Sequence, residues 1–208
     1  MWAAGMYESP IPFKTLGDLV ESDPDGASDI IPGLTNLQAA LFMNCATFQL
    51  WPFNSWWHYM GGEFDEESGL PTALRFTSIP TMADFMQTGC PYESLRLILD
   101  YEMVMCGGYD VPWDDHYAVI KVPILCLAPA GWMGKTAYYT LGLLGSTNKQ
   151  IIAPSLLGPE QRVEDFGHID LWTALQAPEL VWQPLLEWIE AHTPGGGHRI
   201  AEVREVDQ

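Results

Sequence analysis

Basic residues are scarce in this sequence. It carries 9 Lys and Arg against 27 Asp and Glu, which gives a formal net charge of −18. Nucleic acids and anionic membrane surfaces both require a cationic patch on the protein that binds them. The charge balance therefore argues against nucleic acid and membrane as partners, and solvated carboxylates explain the acidity.

Long apolar runs and paired cysteines are also missing. No stretch approaches the length of a membrane span, and the first residues lack the basic and apolar parts of a signal peptide. The four cysteines form no Cys-x-x-Cys pair, so nothing indicates a disulfide framework or a cysteine metal site. We expect a cytoplasmic protein without a metal or cofactor, with secretion as the alternative.

The first half of the sequence has mainly helical patterns. Apolar spacing predicts helices at residues 15–21, 34–50, 80–87 and 91–105, and Thr35 or Asn36 suits the cap of the second. Five aromatic residues then lie within residues 51–59, and packing into the core is the first interpretation. The alternative is a groove for flat apolar substrates, with Trp56 and Trp57 as binding residues. Gly61, Gly62 and the acidic segment 63–67 predict a solvated loop.

The second half alternates strand and helix patterns. Residues 122–128 are an apolar run typical of a parallel strand covered on both faces. A helix at 135–144 and a strand at 149–153 follow, which predicts a right-handed β-α-β unit. Ligands of such sheets bind beyond the carboxyl ends of the strands, which is where Trp132 and Met133 fall, as candidate substrate contacts. A last helix begins near Pro178.

Residues 164–172 carry the strongest candidate for chemistry. His168 follows Gly167, lies between Asp165 and Asp170, and precedes an apolar helix pattern. A positioned imidazole is a useful general base because its proton affinity lies near neutral pH.

Three segments carry a family resemblance: residues 120–127, 166–172 and 177–189. With their order of strands and helices, they resemble the last third of an α/β-hydrolase. The resemblance implies an α/β fold with a short parallel sheet of few strands, in a truncated hydrolase core at 118–193. Residues 1–117 would form a mainly helical cap-like region, and residues 194–208 a flexible tail. It also implies carboxylic-ester hydrolysis with His168 as the general base.

The sequence departs from that family at the nucleophile and at the acid. No Gly-x-Ser-x-Gly nucleophile motif occurs in the chain, although the family carries one. No carboxylate follows the strand at 122–128, where the family places its acid, so several residues remain as partners of His168. These are Asp165, Asp170, Asp110, Asp114 and Asp115.

Two nucleophiles remain open. Ser155 follows the last strand on the side of His168, and a water molecule activated by His168 is the other choice. Ser146 and Lys149 match the pattern Ser-x-x-Lys, in which a lysine activates a serine, but they lie at a helix end, so chance explains the match better.

Three functions follow as expectations. The first is a low-activity esterase for small activated or aromatic esters. The second is a non-catalytic binding or assembly protein, and the third is one half of a split hydrolase completed by a partner chain. A sheet without its first strands would expose an edge and apolar faces. We therefore expect a homo-oligomer, most simply a two-fold dimer.

Overall fold

The computed structural model describes residues 12–46, 48–50, 55–88, 115–131 and 138–193. Helices in these ranges are α1 (Pro12–Ser22), α2 (Asn36–Cys45), α3 (Ile79–Thr88), α4 (Tyr139–Leu143), α5 (Asp170–Thr173) and α6 (Gln183–His192). Strands are β1 (Phe48–Leu50), β2 (Ser55–Trp57), β3 (Gly62–Phe64), β4 (Pro71–Leu74), β5 (Ile124–Leu127) and β6 (Lys149–Ile152). Two 3-10 helices and a π-helical turn complete them, at Tyr117–Val119, Pro159–Glu164 and Pro178–Trp182. This mixture of helices and small sheets agrees with the predicted α/β class.

Helices α1, α2 and α3 pack together around a buried apolar core. Leu16 and Val20 lie one turn apart on α1 and are both buried against α2 and α3. Gly17 allows α1 to approach α3 closely, because a Cβ atom there would lie 2.9 Å from the Cβ of Met86. The helices predicted at 15–21 and 80–87 are confirmed, each with slightly longer bounds.

Helix α2 begins at a capping box. The hydroxyl of Thr35 accepts a hydrogen bond from the backbone N–H of Gln38, and the side chain of Gln38 accepts one from the N–H of Thr35. Of the two caps predicted, Thr35 is therefore the one used. Asn36 instead donates from its side chain to the carbonyl oxygen of Asp23. The helix ends at Cys45, earlier than the predicted residue 50, because the chain there turns into β1.

Two antiparallel strand pairs lie where the sequence predicts the end of the helix at 34–50 and the loop at 61–67. β1 pairs with β2, and β3 pairs with β4. The expectation that residues 61–67 form only a solvated loop is wrong, because residues 62–64 are a strand. The acidic turn that follows is ordered by Asp65, whose carboxylate accepts hydrogen bonds from the backbone and hydroxyl of Ser68. Those hydrogen bonds lower the pKa of the Asp65 carboxyl group.

Strands β5 and β6 form the predicted parallel pair, with Ile124 opposite Lys149 and Leu127 opposite Ile152. Helix α4 lies between them in the chain, as expected for a β-α-β unit. The expectation of a strand covered on both faces is wrong, since each residue of β5 is only partly buried. On β6, Ile151 keeps 46% of its surface exposed. Among the described residues this sheet has no third strand.

The helix predicted from Pro178 begins there, but with an irregular first segment. Residues 178–182 form a π-helical turn, and α6 follows it directly. Pro184 is the second residue of α6 and lies directly after the π-helical turn, so helical backbone continues on both sides of it.

Two buried clusters hold these elements together. The first lies among α1, α2 and α3 and includes Ile169 from the loop before α5. The second lies around α5 and the π-helical turn, and includes Phe76 from the segment after β4. Each cluster thus takes a residue from the other side of the division predicted at residues 117 and 118. That division stays a prediction, and the shared loop at 165–170 is where the two parts meet.

Candidate active site

The loop of residues 165–170 lies at the carboxyl end of the parallel pair. Just after β5, the N–H of Gly131 donates to the carbonyl oxygen of Phe166 at 2.8 Å. In the same turn, the N–H of Ala130 donates to the carbonyl oxygen of Pro154, which follows β6. These contacts put His168 beyond the strand ends, on the side of the sheet where the sequence predicts the site.

Asp165 fixes the start of the loop. Its carboxylate is buried and accepts a hydrogen bond from the hydroxyl of Ser155 at 2.7 Å. It also accepts from the backbone N–H groups of Leu156, Leu157 and Phe166, at 3.0, 3.2 and 2.8 Å. Both oxygens therefore face N–H or O–H donors, so the carboxylate joins the segment after β6 to the loop.

Asp170 fixes the other end of the loop. One oxygen accepts from the N–H groups of Gly61 and Gly167, at 2.6 and 2.8 Å, and the other accepts from the hydroxyl of Thr77 at 3.0 Å. Burial raises the pKa of this carboxyl group to about 6, although the three hydrogen bonds act in the opposite direction. The charge of Asp165 raises the pKa further. Asp170 therefore ties the loop to the residue before β3 and to the segment after β4.

His58 lies directly beneath the loop and is completely buried. Its Nε2 atom is 2.7 Å from the carbonyl oxygen of Asp165. A carbonyl oxygen only accepts, so Nε2 carries the proton, and Nδ1 is a buried acceptor without a hydrogen-bond partner in the described part of the chain. Burial lowers the pKa of this imidazole, while the hydrogen bond and the charge of Asp165 oppose the shift. Sequence reasoning missed His58; its signal is a polar side chain inside the aromatic run at 51–59.

His168 is half-buried on the loop that these residues hold. Its backbone N–H donates to the carbonyl oxygen of His58 at 3.0 Å. Its ring meets the indole of Trp172 edge to face, with the ring centroids 5.2 Å apart. Burial lowers the pKa of the His168 imidazole, so the ring is mainly uncharged at neutral pH. An uncharged imidazole in this position has the protonation state that a general base requires.

The structure brings Ser155 and Asp165 together, and places Asp165 and Asp170 at the two ends of the loop of His168. Both carboxylates take part in backbone hydrogen bonds, which is a structural role that the sequence did not indicate. Asp115 is exposed. Asp110, Asp114, Trp132 and Met133 lie outside the described residues. Trp56 and Trp57 belong to β2, and their side chains are not described.

The Ser-x-x-Lys match serves local structure. The ammonium group of Lys149 donates to the carbonyl oxygens of Leu141 and Leu144 at the end of α4, at 2.5 and 2.6 Å. The hydroxyl of Ser146 bonds to the carbonyl oxygen of Asn148 in its own turn. These contacts agree with the interpretation of the match as chance.

Within the described ranges, no cluster of three histidine, cysteine or acidic side chains is placed to hold a metal ion. None of the helices that the structure describes has the length and apolar character needed to cross a membrane. No protein-family model matches this chain, and no curated protein or solved structure is detectably similar to it.

Proposed function

We propose that this protein hydrolyses small activated or aromatic carboxylic esters, with His168 as the general base. The observation that supports the proposal is a half-buried, mainly uncharged imidazole at the carboxyl end of a parallel strand pair. The loop that carries it is held at both ends by buried carboxylates, Asp165 and Asp170. A base held in one position avoids the entropic cost of being brought to the substrate.

Water is the nucleophile that this arrangement favours. Ser155 donates a hydrogen bond to Asp165 at 2.7 Å, and that carboxylate also accepts from three backbone N–H groups. The carboxylate therefore serves to hold the loop, and the Ser155 hydroxyl contacts Asp165 rather than His168, which would have to activate it as a nucleophile. In the proposed reaction, His168 removes a proton from water as the oxygen attacks the ester carbonyl. The tetrahedral intermediate then expels an alkoxide or phenolate. A good leaving group needs no general acid, which is why activated esters are the expected substrates.

The preference for aromatic esters rests on Trp172. Trp172 keeps 56% of its surface exposed, and its indole lies against the ring of His168. A phenyl group that packs on this indole would bring its ester carbonyl near the imidazole. Trp132, Met133, Trp56 and Trp57 stay predicted substrate contacts from the sequence.

The test is hydrolysis of phenyl acetate and 4-nitrophenyl acetate by the wild type and by His168→Gln. We expect the variant to lose about 10-fold to 100-fold in kcat/KM, because a positioned base contributes at least that much. His116→Gln is the matched control, since His116 is exposed and lies outside the loop. Equal turnover by the wild type and His168→Gln, or none above free imidazole, would contradict the proposal.

Self-association is the second candidate function. Large apolar side chains are exposed on the segment before β5, on β6 and on α6, including Val122, Ile151, Leu186 and Ile189. A monomer rarely leaves a large apolar surface open, and a two-fold dimer is the simplest arrangement that would cover it. Light scattering after size-exclusion chromatography is expected to give the dimer mass at micromolar concentration. A stable monomer at that concentration would contradict this candidate.

A further inference from the structure

We infer that His58 is a positioning residue for His168: it sets the backbone path of the loop through hydrogen bonds on both sides of Phe166 and Gly167. The inference rests on the proposed role of His168. His58 itself does not reach the surface, so it acts on the reaction only through the loop.

The hydrogen bonds of His58 bracket the tip of the loop. Its ring N–H donates to the carbonyl oxygen of Asp165 at 2.7 Å, and its own carbonyl oxygen accepts from the N–H of His168 at 3.0 Å. The next residue, Tyr59, accepts from the N–H of Ile169 at 2.7 Å. One residue of the N-terminal part thus contacts the loop immediately before and after residues 166 and 167.

The ring of His58 also fills a space that two glycines leave for it. A Cβ atom on Gly131 would lie 2.2 Å from the Cε1 atom of His58, and one on Gly167 would lie 2.8 Å from its Cδ2 atom. No flexible side-chain end is available to move aside, because the ring is rigid. The ring is therefore enclosed between the turn after β5 and the loop after β6.

An imidazole in this space lowers the stability of the fold, because one of its ring nitrogens has no hydrogen-bond partner within the ranges that the structure describes. Its presence therefore indicates a role for the hydrogen bond that the other nitrogen makes. The buried Nδ1 atom has no partner among the described residues, and an unsatisfied buried acceptor is destabilising. An apolar side chain of similar volume would avoid that cost. What such a side chain lacks is the N–H group that binds the carbonyl oxygen of Asp165.

The experiment compares His58→Gln, His58→Leu and the exposed control His116→Leu. The amide nitrogen of glutamine lies as many bonds from Cβ as Nε2 of histidine, so Gln keeps the donor and Leu removes it. Amide hydrogen exchange measures the opening of the loop, and a ¹⁵N NMR titration measures the pKa of the His168 ring. Neither measurement requires enzymatic activity.

We expect His58→Leu to speed exchange at the His168 and Ile169 amides about tenfold, because local opening exposes them. Amides of α1 should change much less. The pKa of His168 should rise toward the ordinary 6.5, because burial is what lowers it. His58→Gln and His116→Leu should match the wild type in both measurements. A purely structural role for His58 would lower overall stability without this selective change at the loop.

Two results would overturn the inference. The first is that His58→Leu has the same amide exchange rates in the loop and the same His168 pKa as the wild type. If that variant does not fold, His58→Asn takes its place, because its amide lies at the position of Nδ1 and does not reach Asp165. The second is that only the glutamine variant folds, which would make His58 a residue of the global fold. A loosened loop together with undiminished turnover by His168→Gln would instead refute the proposed function alone.

Discussion

Replacing Asp170 with asparagine should change how stability depends on pH without breaking the fold. The folded-state pKa of Asp170 is about 6, against an ordinary value of 3.8. The folded protein therefore binds this proton more tightly than the unfolded chain does. The resulting stabilisation is complete below about pH 3.8 and is lost as the pH rises through 6.

The size of the effect follows from the shift. A pKa difference of about two units corresponds to about 3 kcal/mol in the free energy of unfolding, and about half of it is lost between pH 5 and pH 8. The asparagine side chain has no such proton to lose. The free energy of unfolding of Asp170→Asn, minus that of the wild type, should therefore grow by roughly 1 to 2 kcal/mol between pH 5 and pH 8.

The hydrogen bonds around Asp170 explain why asparagine is tolerated. The carbonyl oxygen of the new side chain can keep the N–H groups of Gly61 and Gly167, while its amide donates to the hydroxyl of Thr77. That hydroxyl then turns toward Thr173, whose oxygen is 3.0 Å away and which itself donates to the carbonyl oxygen of Ile169. Reversing this short chain leaves every group with a partner.

Urea denaturation followed by circular dichroism, at several pH values from 5 to 8, gives the required free energies. The exposed Asp115 supplies the control, and Asp115→Asn should run parallel to the wild type. Two outcomes would refute the reasoning. One is parallel pH profiles for Asp170→Asn and the wild type, and the other is marked destabilisation of Asp170→Asn at pH 8.

Two further predictions concern neighbouring contacts. Asp165→Asn should be destabilising by about 2 kcal/mol or more, because an amide nitrogen in place of either carboxylate oxygen faces at least one backbone N–H group and leaves it unpaired. Urea denaturation beside Asp170→Asn measures the loss, and equal stability of the two variants would contradict this prediction. Thr35→Ala should lower the free energy of unfolding by about 1 kcal/mol through loss of the capping box of α2, and so lower the urea midpoint. Thr193→Ala, at the exposed end of α6, should leave the midpoint nearly unchanged. Equal midpoints for the two variants would contradict the role of the cap.

Local patterns in the sequence predict most of the helices that the structure describes, and both parallel strands. The spacing of Leu16 and Val20 indicates α1, and the apolar run before Ala128 indicates β5, because each pattern reflects which face of one element is buried. Thr35 is recognisable as a cap from its own chemistry. Such features depend on neighbours in the chain, so sequence alone suffices for them.

The hairpins could not be predicted in the same way. β3 begins at Gly62 in an acidic stretch, and β4 begins at Pro71, which is tolerated at the first position of a strand. Their pairing depends on contacts between the two segments rather than on the pattern of either one. The exposure of Ile151 likewise depends on what covers the sheet, which periodicity does not report.

The same distinction between local patterns and contacts of the folded chain applies to the candidate site. The sequence indicates that Asp165 and Asp170 flank His168, and this proximity along the chain is simple to read. It does not indicate that both carboxylates turn toward backbone N–H groups, because three of the five backbone donors lie outside the loop, at residues 61, 156 and 157. His58 is 107 positions away from Asp165 in the sequence, so only the folded chain brings them together.

The dependence of hydrolysis on pH tests the central role of His168 most directly. If the uncharged imidazole is the base, kcat/KM for 4-nitrophenyl acetate should rise with pH along a single ionisation whose midpoint lies below 6.5, and then level off. In His168→Gln that ionisation should disappear from the profile. An unchanged midpoint and amplitude in His168→Gln would contradict the account.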